Sequence, residues 1–308
     1  MSHLQGGIAV ITGAASGFGL EASRIAARLG MKIVMADVQA DALELSSHDV
    51  AALGAACGSG AEVLAVRTDV SRAADVDALA AATLQRFGAP HLVFNNAGVG
   101  AGGLVWEHSA RDWEWVFGVN VMGVAHGVRA FTPLMLAAAE ADPAWHGHIV
   151  NTASMAGLLN PPNMGLYNAS KHAVVALSES LHQDLALVSD QVHAHVLCPY
   201  FVPTGITRSE RNRPHDLHDA AAKPTRSQLI QQAMIDQAVS KGRVTAAQVA
   251  QFVFDACAEN RFYIYSHPKA LGPVQTRLED IMTPRNPSDP FQDKPEIGEQ
   301  LRQALRAG

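Results

Sequence analysis

The sequence predicts a doubly wound α/β fold: a parallel sheet of about seven strands with helices on both faces. Two observations predict it. Short, β-favouring apolar runs alternate with longer alanine-rich stretches along most of the 308 residues. The short runs are also apolar throughout rather than at every second position, so both of their faces need cover, which helical crossovers between parallel strands provide.

The first strand is read at "GIAVIT" (7–12), followed by a helix over "GFGLEASRIAARLG" (17–30) that Gly30 stops. The second strand is "KIVMAD" (32–37), with a helix over 41–56. "EVLAVRTD" (62–69) gives the third strand, and "AADVDALAAATLQRFG" (73–88) a helix stopped at Gly88. "HLVFNNAG" (91–98) is a fourth strand running into a loop, and a long helix follows over 112–139. "GHIVNTAS" (147–154) is the fifth strand, with a helix over 166–188. "VHAHVLCP" (192–199) and "FYIYS" (262–266) complete the set.

Two regions break this rhythm. Residues 203–241 are a long connection with prolines, arginines and histidines, which reads as a lid. Residues 267–308 are Pro-rich ("TPRNPSDPFQDKP") and partly irregular. The division is one catalytic domain over 1–266, including the lid, and a C-terminal extension.

Composition narrows the function. The net charge of −6 argues against nucleic acid. Three scattered cysteines suggest neither a disulfide framework nor a zinc site, and read as small buried hydrophobes in a reducing compartment. No basic-then-apolar leader opens the chain, and no stretch approaches the roughly 20 apolar residues of a membrane helix. The expectation is a soluble, cytoplasmic protein without a membrane partner.

In such folds ligands sit beyond the carboxyl ends of the strands. "TGAASGFG" (12–19) lies there, between the first strand and the first helix. Gly13, Gly17 and Gly19, with Ser16 and Phe18 between them, are spaced for a tight turn that brings backbone N–H groups to a pyrophosphate. An ordinary strand-to-helix turn is the alternative. Asp37 ends the second strand, where a carboxylate accepts from ribose hydroxyls and repels a 2′-phosphate. Its neighbour is Val38, and no cation stands nearby, so NAD is expected rather than NADP.

A second constellation is "SMAGLLNPPNMGLYNASK" (154–171). Tyr167 and Lys171 stand at i and i+4 on one helix face, in a stretch without other charge. Bringing a phenol from a pKa of about 10 to near 7 takes roughly 4 kcal/mol of phenolate stabilisation. An ammonium and a positive nicotinamide ring in a site screened from water are expected to supply it. Ser154 would hold the substrate oxygen as charge develops.

With these residues in view, the chain resembles the short-chain dehydrogenase/reductase family, whose fold is Rossmann-like. The matching motifs are "TGAASGFG", "TDV" (68–70), "NNAG" (95–98), Asn120 in "GVNVMG", Ser154 and "YNASK", in family order over about residues 5–265. The resemblance implies that Asn120, Ser154, Tyr167 and Lys171 form the catalytic set, with Asn120 holding a water between Lys171 and solvent and Lys171 also gripping the nicotinamide ribose. It implies that Asp69 and Val70 border adenine and that Asn95, Ala97 and Gly98 line the groove. In "CPYFVPT" it brings Pro199, Val202 and Thr204 to the nicotinamide end. The family usually has glycine where this chain has Tyr200, a departure expected to alter the local backbone and narrow the pocket. Homotetramers or homodimers through the two long helices are implied as well.

Pocket candidates are Gly100, Met155, Ala156, Leu158, Asn160, Met164, Tyr200 and Phe201, mostly apolar, so a hydrophobic or aromatic secondary alcohol or ketone is expected. The sequence names neither the compound nor the direction of reaction. "HGH" at His146 and "HAH" at His193 lack the companions of a metal site, and no metal is expected. Arg208, Arg211, Arg213, Lys223 and Arg226 either greet an acidic substrate or form a solvated lid face. Trp106, Trp113 and Trp115 are expected to pack near the start of the long helix. The reading is an NAD-dependent secondary-alcohol dehydrogenase. The alternatives are an NAD-sensing regulatory or scaffold protein on the same fold, and an NADP-dependent carbonyl reductase.

Overall fold

Strand β1 (Ile8–Thr12) lies between two parallel neighbours, β2 (Lys32–Asp37) and β4 (Leu92–Asn95). The computed structural model describes residues 4–218 and 223–306. With β3 (Glu62–Arg67), β5 (Gly147–Thr152), β6 (Val192–Cys198) and β7 (Tyr263–Tyr265), these strands form one sheet in the order β3-β2-β1-β4-β5-β6-β7, parallel throughout. The chain runs outward from β1 to β3 and then returns to the other side of β1. The connections after β1 and β4 therefore diverge, leaving a crevice at their carboxyl ends.

Side chains alternate across the sheet and meet different helices. Ile11, Ile33, Met35 and Phe94 face α1 (Gly17–Arg28), α2 (Ala40–Ala56) and α8 (Ala246–Glu259), packing with Ala22, Ala26, Val253 and Phe254. Val10, Val34, Val93 and Ile149 face α3 (Ala73–Arg86), α5 (Gly123–Ala141) and α6 (Gly165–Val188), packing with Leu79, Phe131, Met135 and Leu181. Each fully buried side chain of this size stabilises by about 1.5–3 kcal/mol. The edge strand β3 is only half-buried, because among the described residues nothing pairs with its outer side.

The long helix read over 112–139 is two helices. A π-turn, Gly118–Met122, separates α4 (Ala110–Phe117) from α5. Its wider turn carries the buried Asn120, whose side chain is tied to Val99 and Ser170. Contrary to the sequence expectation, Ala110–Ala141 is long and apolar enough to cross a membrane, with a mean hydropathy of 1.3. Here it lies on the sheet between α3 and α6.

The connection after β6 is more regular than expected. It holds a short helical segment, Gly205–Asn212, and then α7 (Arg226–Ser240). Both α7 and α8 start with a Thr-x-x-Gln capping box, Thr225 with Gln228 and Thr245 with Gln248. The extension forms α9 (Gly272–Met282) and α10 (Pro295–Arg306), and α10 packs against α7. Cys198 and Cys257 are buried, but Cys57 is exposed, because it caps the end of α2.

Candidate active site

The crevice between the β1 and β4 connections is lined at one end by Gly13, Ser16, Gly17 and Phe18, and at the other by Tyr167 and Lys171. Gly17 has φ +55°, the left-handed conformation glycine adopts freely. A Cβ on Gly19 would lie 2.3 Å from the Gly13 carbonyl oxygen, so only glycine fits this turn. Ser16 caps α1 without a side-chain bond, and no acidic residue stands in the first turn. The first N–H groups of α1 are thus left for an anion.

Asp37 lines the crevice at the end of β2. Its Oδ2 accepts from the Ala15 N–H at 3.1 Å and its Oδ1 from the Gln39 N–H at 3.0 Å, which fixes the carboxylate while leaving it lone pairs. Val38, Asp69 and Val70 border the same end, where Asp69 is held by the N–H and hydroxyl of Ser71.

Among the "NNAG" residues the structure divides the roles. Ala97 and Gly98 line the crevice. Asn95 does not: it is buried and donates to Asn151 at 2.9 Å, and a Cβ on Gly127 would lie 2.0 Å from its Oδ1. Asn96 faces the crevice instead, donating to the Thr12 carbonyl at 3.0 Å. Strand alternation carries the signal: if Asn95 points to α5, its neighbour points away. Pro199 and Thr204 line the crevice, with Thr204 3.6 Å from where a Gly17 Cβ would be. Val202 is 3% exposed in the core against α8, so it is not a crevice residue.

At the reactive end the four catalytic candidates converge. Lys171 is buried, its Nζ donates to the Thr152 carbonyl at 2.9 Å, and it stands 5.7 Å from the centre of the Tyr167 ring. A Cβ on Gly98 would lie 3.5 Å from this Nζ and 3.4 Å from Asn120 Oδ1, so both groups meet at Gly98. Asn120 accepts from the Val99 N–H at 2.8 Å and donates to the Val99 carbonyl and Ser170. Its side chain is thereby committed to holding the loop after β4. Ser154 Oγ accepts from the Ala156 N–H at 3.1 Å, donates to the Pro199 carbonyl at 3.4 Å, and stands beside Tyr167, whose phenol it helps to acidify.

The chain's own groups supply only part of the expected electrostatics. Burial pushes the Tyr167 phenol up to about 12, and the Ser154 hydrogen bond offsets only part of this. Burial also pushes the Lys171 ammonium down to about 8, although Cys198 opposes this. Desolvation outweighs the ammonium at its distance from the phenol, so the chain's own groups keep Tyr167 protonated at neutral pH.

The pocket candidates separate. Met155 is 1% exposed in the core, and Ala156 is buried behind Ser154. Leu158 packs against the same core cluster, and Asn160 is exposed. Gly100 donates from its backbone to Ser209 of the lid. Met164 bridges Gly103. Tyr200 is 43% exposed and packs on Phe201 and His267, turned to the surface rather than narrowing the crevice. Its backbone takes no left-handed φ, which is why the glycine usual there can be replaced. Lid residues Ile206, Ser209 and Pro214 wall the crevice instead, together with Val99. They form a site wall only once the lid folds back over β4, so no local pattern marks them.

Away from the crevice, His148 Nδ1 lies 3.0 Å from His195 Nε2, with Cys257 beside them, and the three ligand-type atoms fall within 4.8 Å of one another. His195 Nδ1 donates to the Arg261 carbonyl at 2.9 Å. Its Nε2 is then the acceptor for His148, so the lone pair a metal would need is already used. Of the three tryptophans, Trp115 is buried and Trp113 packs on Phe117, whereas Trp106 is 76% exposed.

The comparisons with known proteins agree with this geometry. A family model described as short chain dehydrogenase matches residues 7–215. A CLA biosynthesis dehydrogenase/reductase of Lactiplantibacillus plantarum is 33% identical over 285 residues, 92% of this chain and 96% of its own. A 1-deoxy-11-beta-hydroxypentalenate dehydrogenase of Streptomyces avermitilis is 34% identical over 283 residues, 90% and 89% of the two chains. A crystal structure of a short chain dehydrogenase/reductase from Burkholderia phymatum in complex with NAD matches with a TM-score of 0.88 at 55% identity, covering 94% of this chain and 99% of that one. A crevice at the sheet's switch point, a Tyr-x-x-x-Lys pair at its end with Tyr167 half-buried and Lys171 buried, and these likenesses have one reading: the chain belongs to the short-chain dehydrogenase/reductase family of oxidoreductases.

Proposed function

We propose that this protein is an NAD-dependent dehydrogenase that interconverts a secondary alcohol and a ketone on a hydrophobic substrate. The observation that carries the proposal is the Tyr167–Lys171 pair at the end of the crevice away from the glycine turn, with the buried Ser154 beside Tyr167. The crevice residues fit a dinucleotide: Gly19 leaves a cradle that any Cβ would fill, and Asp37 stands where ribose hydroxyls donate. The NAD bound by the Burkholderia phymatum protein supports the same cofactor here. Bound nicotinamide supplies the hydride acceptor or donor.

The chain's residues handle the proton. Ser154 holds the substrate oxygen, and Tyr167 passes a proton to or from it. A phenol kept protonated by burial is poised to give its proton to a forming alcohol. Acting as a base in the oxidative direction requires a positive charge beside it to offset that burial. Lys171 is a cation 5.7 Å from the centre of the phenol ring and would hold the ribose of a bound cofactor, and Asn120 keeps the loop above it in position. The wall of Val99 and Ile206 favours an apolar substrate.

The test is a screen of aliphatic, benzylic and steroid-like secondary alcohols, followed by absorbance of reduced cofactor, with Tyr167→Phe beside wild type. The variant is expected to bind NADH with unchanged affinity and to lose at least about 99% of turnover. Substantial remaining turnover would remove Tyr167 from its role.

We also propose a homodimer or homotetramer. The apolar Ala110–Ala141 helix has only 28% of its most apolar window buried within one chain, and Met122 on it is 46% exposed. A light-scattering mass of two or four times 32.6 kDa is expected, and a monomeric mass would refute the assembly.

A further inference from the structure

The crevice has two acidic residues on its wall, Asp37 and Asp69, both toward the adenine end. It has two cations, Lys171 and Arg211. Lys171 belongs to the reactive end, where its Nζ is held by Thr152. A pyrophosphate at the glycine turn would bring two negative charges into a chain of net charge −6, with the α1 N–H groups as its partners from below.

Arg211 comes from above. It lies near the end of the segment Gly205–Asn212, in the part of the lid that closes the crevice. A chain of contacts locates it. The Thr204 side chain is 3.6 Å from where a Gly17 Cβ would be, and a Cβ on the next residue, Gly205, would lie 3.1 Å from Arg211 Nη2. Nη1 donates to the carbonyls of Gly205 and Arg208 at 2.9 and 2.6 Å, which holds the guanidinium in place and leaves Nη2 and Nε free to donate elsewhere. Among the described residues no carboxylate pairs with Arg211, whereas its neighbour Arg213 is paired with Asp112. The next residue carries an independent sign of a ligand: Asn212 lines the crevice, and its Oδ1 is buried with no hydrogen-bond partner.

Resting on the proposed dinucleotide site, we propose that the lid supplies the cationic half of that site, with Arg211 donating to the cofactor pyrophosphate opposite the α1 N-terminus and Asn212 bonding the cofactor beside it. A guanidinium suits this task because its planar fork meets two phosphate oxygens at once. The lid then closes on the cofactor itself rather than on the substrate alone.

The experiment titrates NADH by fluorescence, and ADP-ribose and adenosine by calorimetry, into wild type, Arg211→Gln and Arg211→Lys. Glutamine is expected to weaken NADH and ADP-ribose by about tenfold or more. Adenosine, which lacks phosphate, should bind unchanged and so shows that the variant is folded. Lysine should restore part of the loss, since it keeps the charge without the fork. NADH and ADP-ribose affinities within twofold of wild type in Arg211→Gln would overturn the inference, as would an equal loss for adenosine. If wild type binds neither NADH nor NADPH, the dinucleotide reading itself falls and this inference with it.

Discussion

At the residue scale, Asp37 shows how a side chain at a crevice rim is held still. Two backbone amides fix its carboxylate at the crevice rim, so it cannot swing away from a 2′-phosphate. Asp37→Ala is expected to shrink the preference for NADH over NADPH by at least about tenfold, read from the two dissociation constants. An unchanged ratio would mean the discrimination lies elsewhere. Tyr167 shows the opposite lesson. The sequence placed a cation one turn away and expected it to act together with a nicotinamide ring; with the chain's own groups alone, burial dominates and pushes the phenol up. Which of two opposing electrostatic effects wins depends on solvent exclusion, and that is a property of the packed site.

At the element scale, the lid is anchored rather than loose. Arg213 reaches back to Asp112 at the start of α4, donates to the Leu217 carbonyl at 3.0 Å and stacks over Trp115. Burial works to raise the Asp112 carboxyl, but hydrogen bonds from Arg213 and Ser109 outweigh it and hold the group below the usual carboxylate range. Ser227 of α7 adds a second tie, donating to Glu107 at 2.6 Å and accepting from the Leu104 N–H. Asp112→Asn should therefore loosen the lid, costing roughly 1–3 kcal/mol of stability and speeding NADH release in stopped flow. Wild-type release and melting would show that the ion pair does not hold the lid. The π-turn belongs to this scale too. Its composition looks like ordinary helix, and only the bonds from Asn120 to Val99 and Ser170 reveal why the turn widens.

At the scale of the whole molecule, β5 and β6 carry a buried histidine pair at the end of the sheet opposite the crevice. Burial is the main reason His195 is pushed down to about 4, with His193 and His182 acting in the same direction and the Arg261 carbonyl against it. Between pH 6.5 and about 4 the unfolded chain binds a proton that the folded His195 refuses. Stability from this group is complete above pH 6.5 and falls as pH drops through that window, by about 3 kcal/mol. Urea unfolding at pH 7 and pH 4.5 should show the loss, and His195→Gln should flatten it. Equal slopes in wild type and variant would remove His195 as the cause. The extension also acts at this scale, because α10 rests on α7 and backs the lid from outside.

The strands and most helices were legible because burial on two faces imposes continuous apolar runs, and because Gly30 and Gly88 mark their ends. The glycine turn, Asp37 and the Tyr167–Lys171 pair were legible because each works through local spacing. The helices α7 and α8 lie outside the sequence expectation although their capping boxes stand in the sequence. Asn95 and Val202 could not be assigned from their motifs, since a motif gives the segment but not the face each side chain takes. The sequence by itself determined the fold class, the crevice at the sheet's switch point and the residue types that serve it, all of which follow from periodicity and chain-local geometry. Only the tertiary structure decided which residues wall the crevice, how the lid is tied down and how strongly burial opposes ionisation of Tyr167. Those depend on distances between segments far apart in the chain and on the water they exclude together.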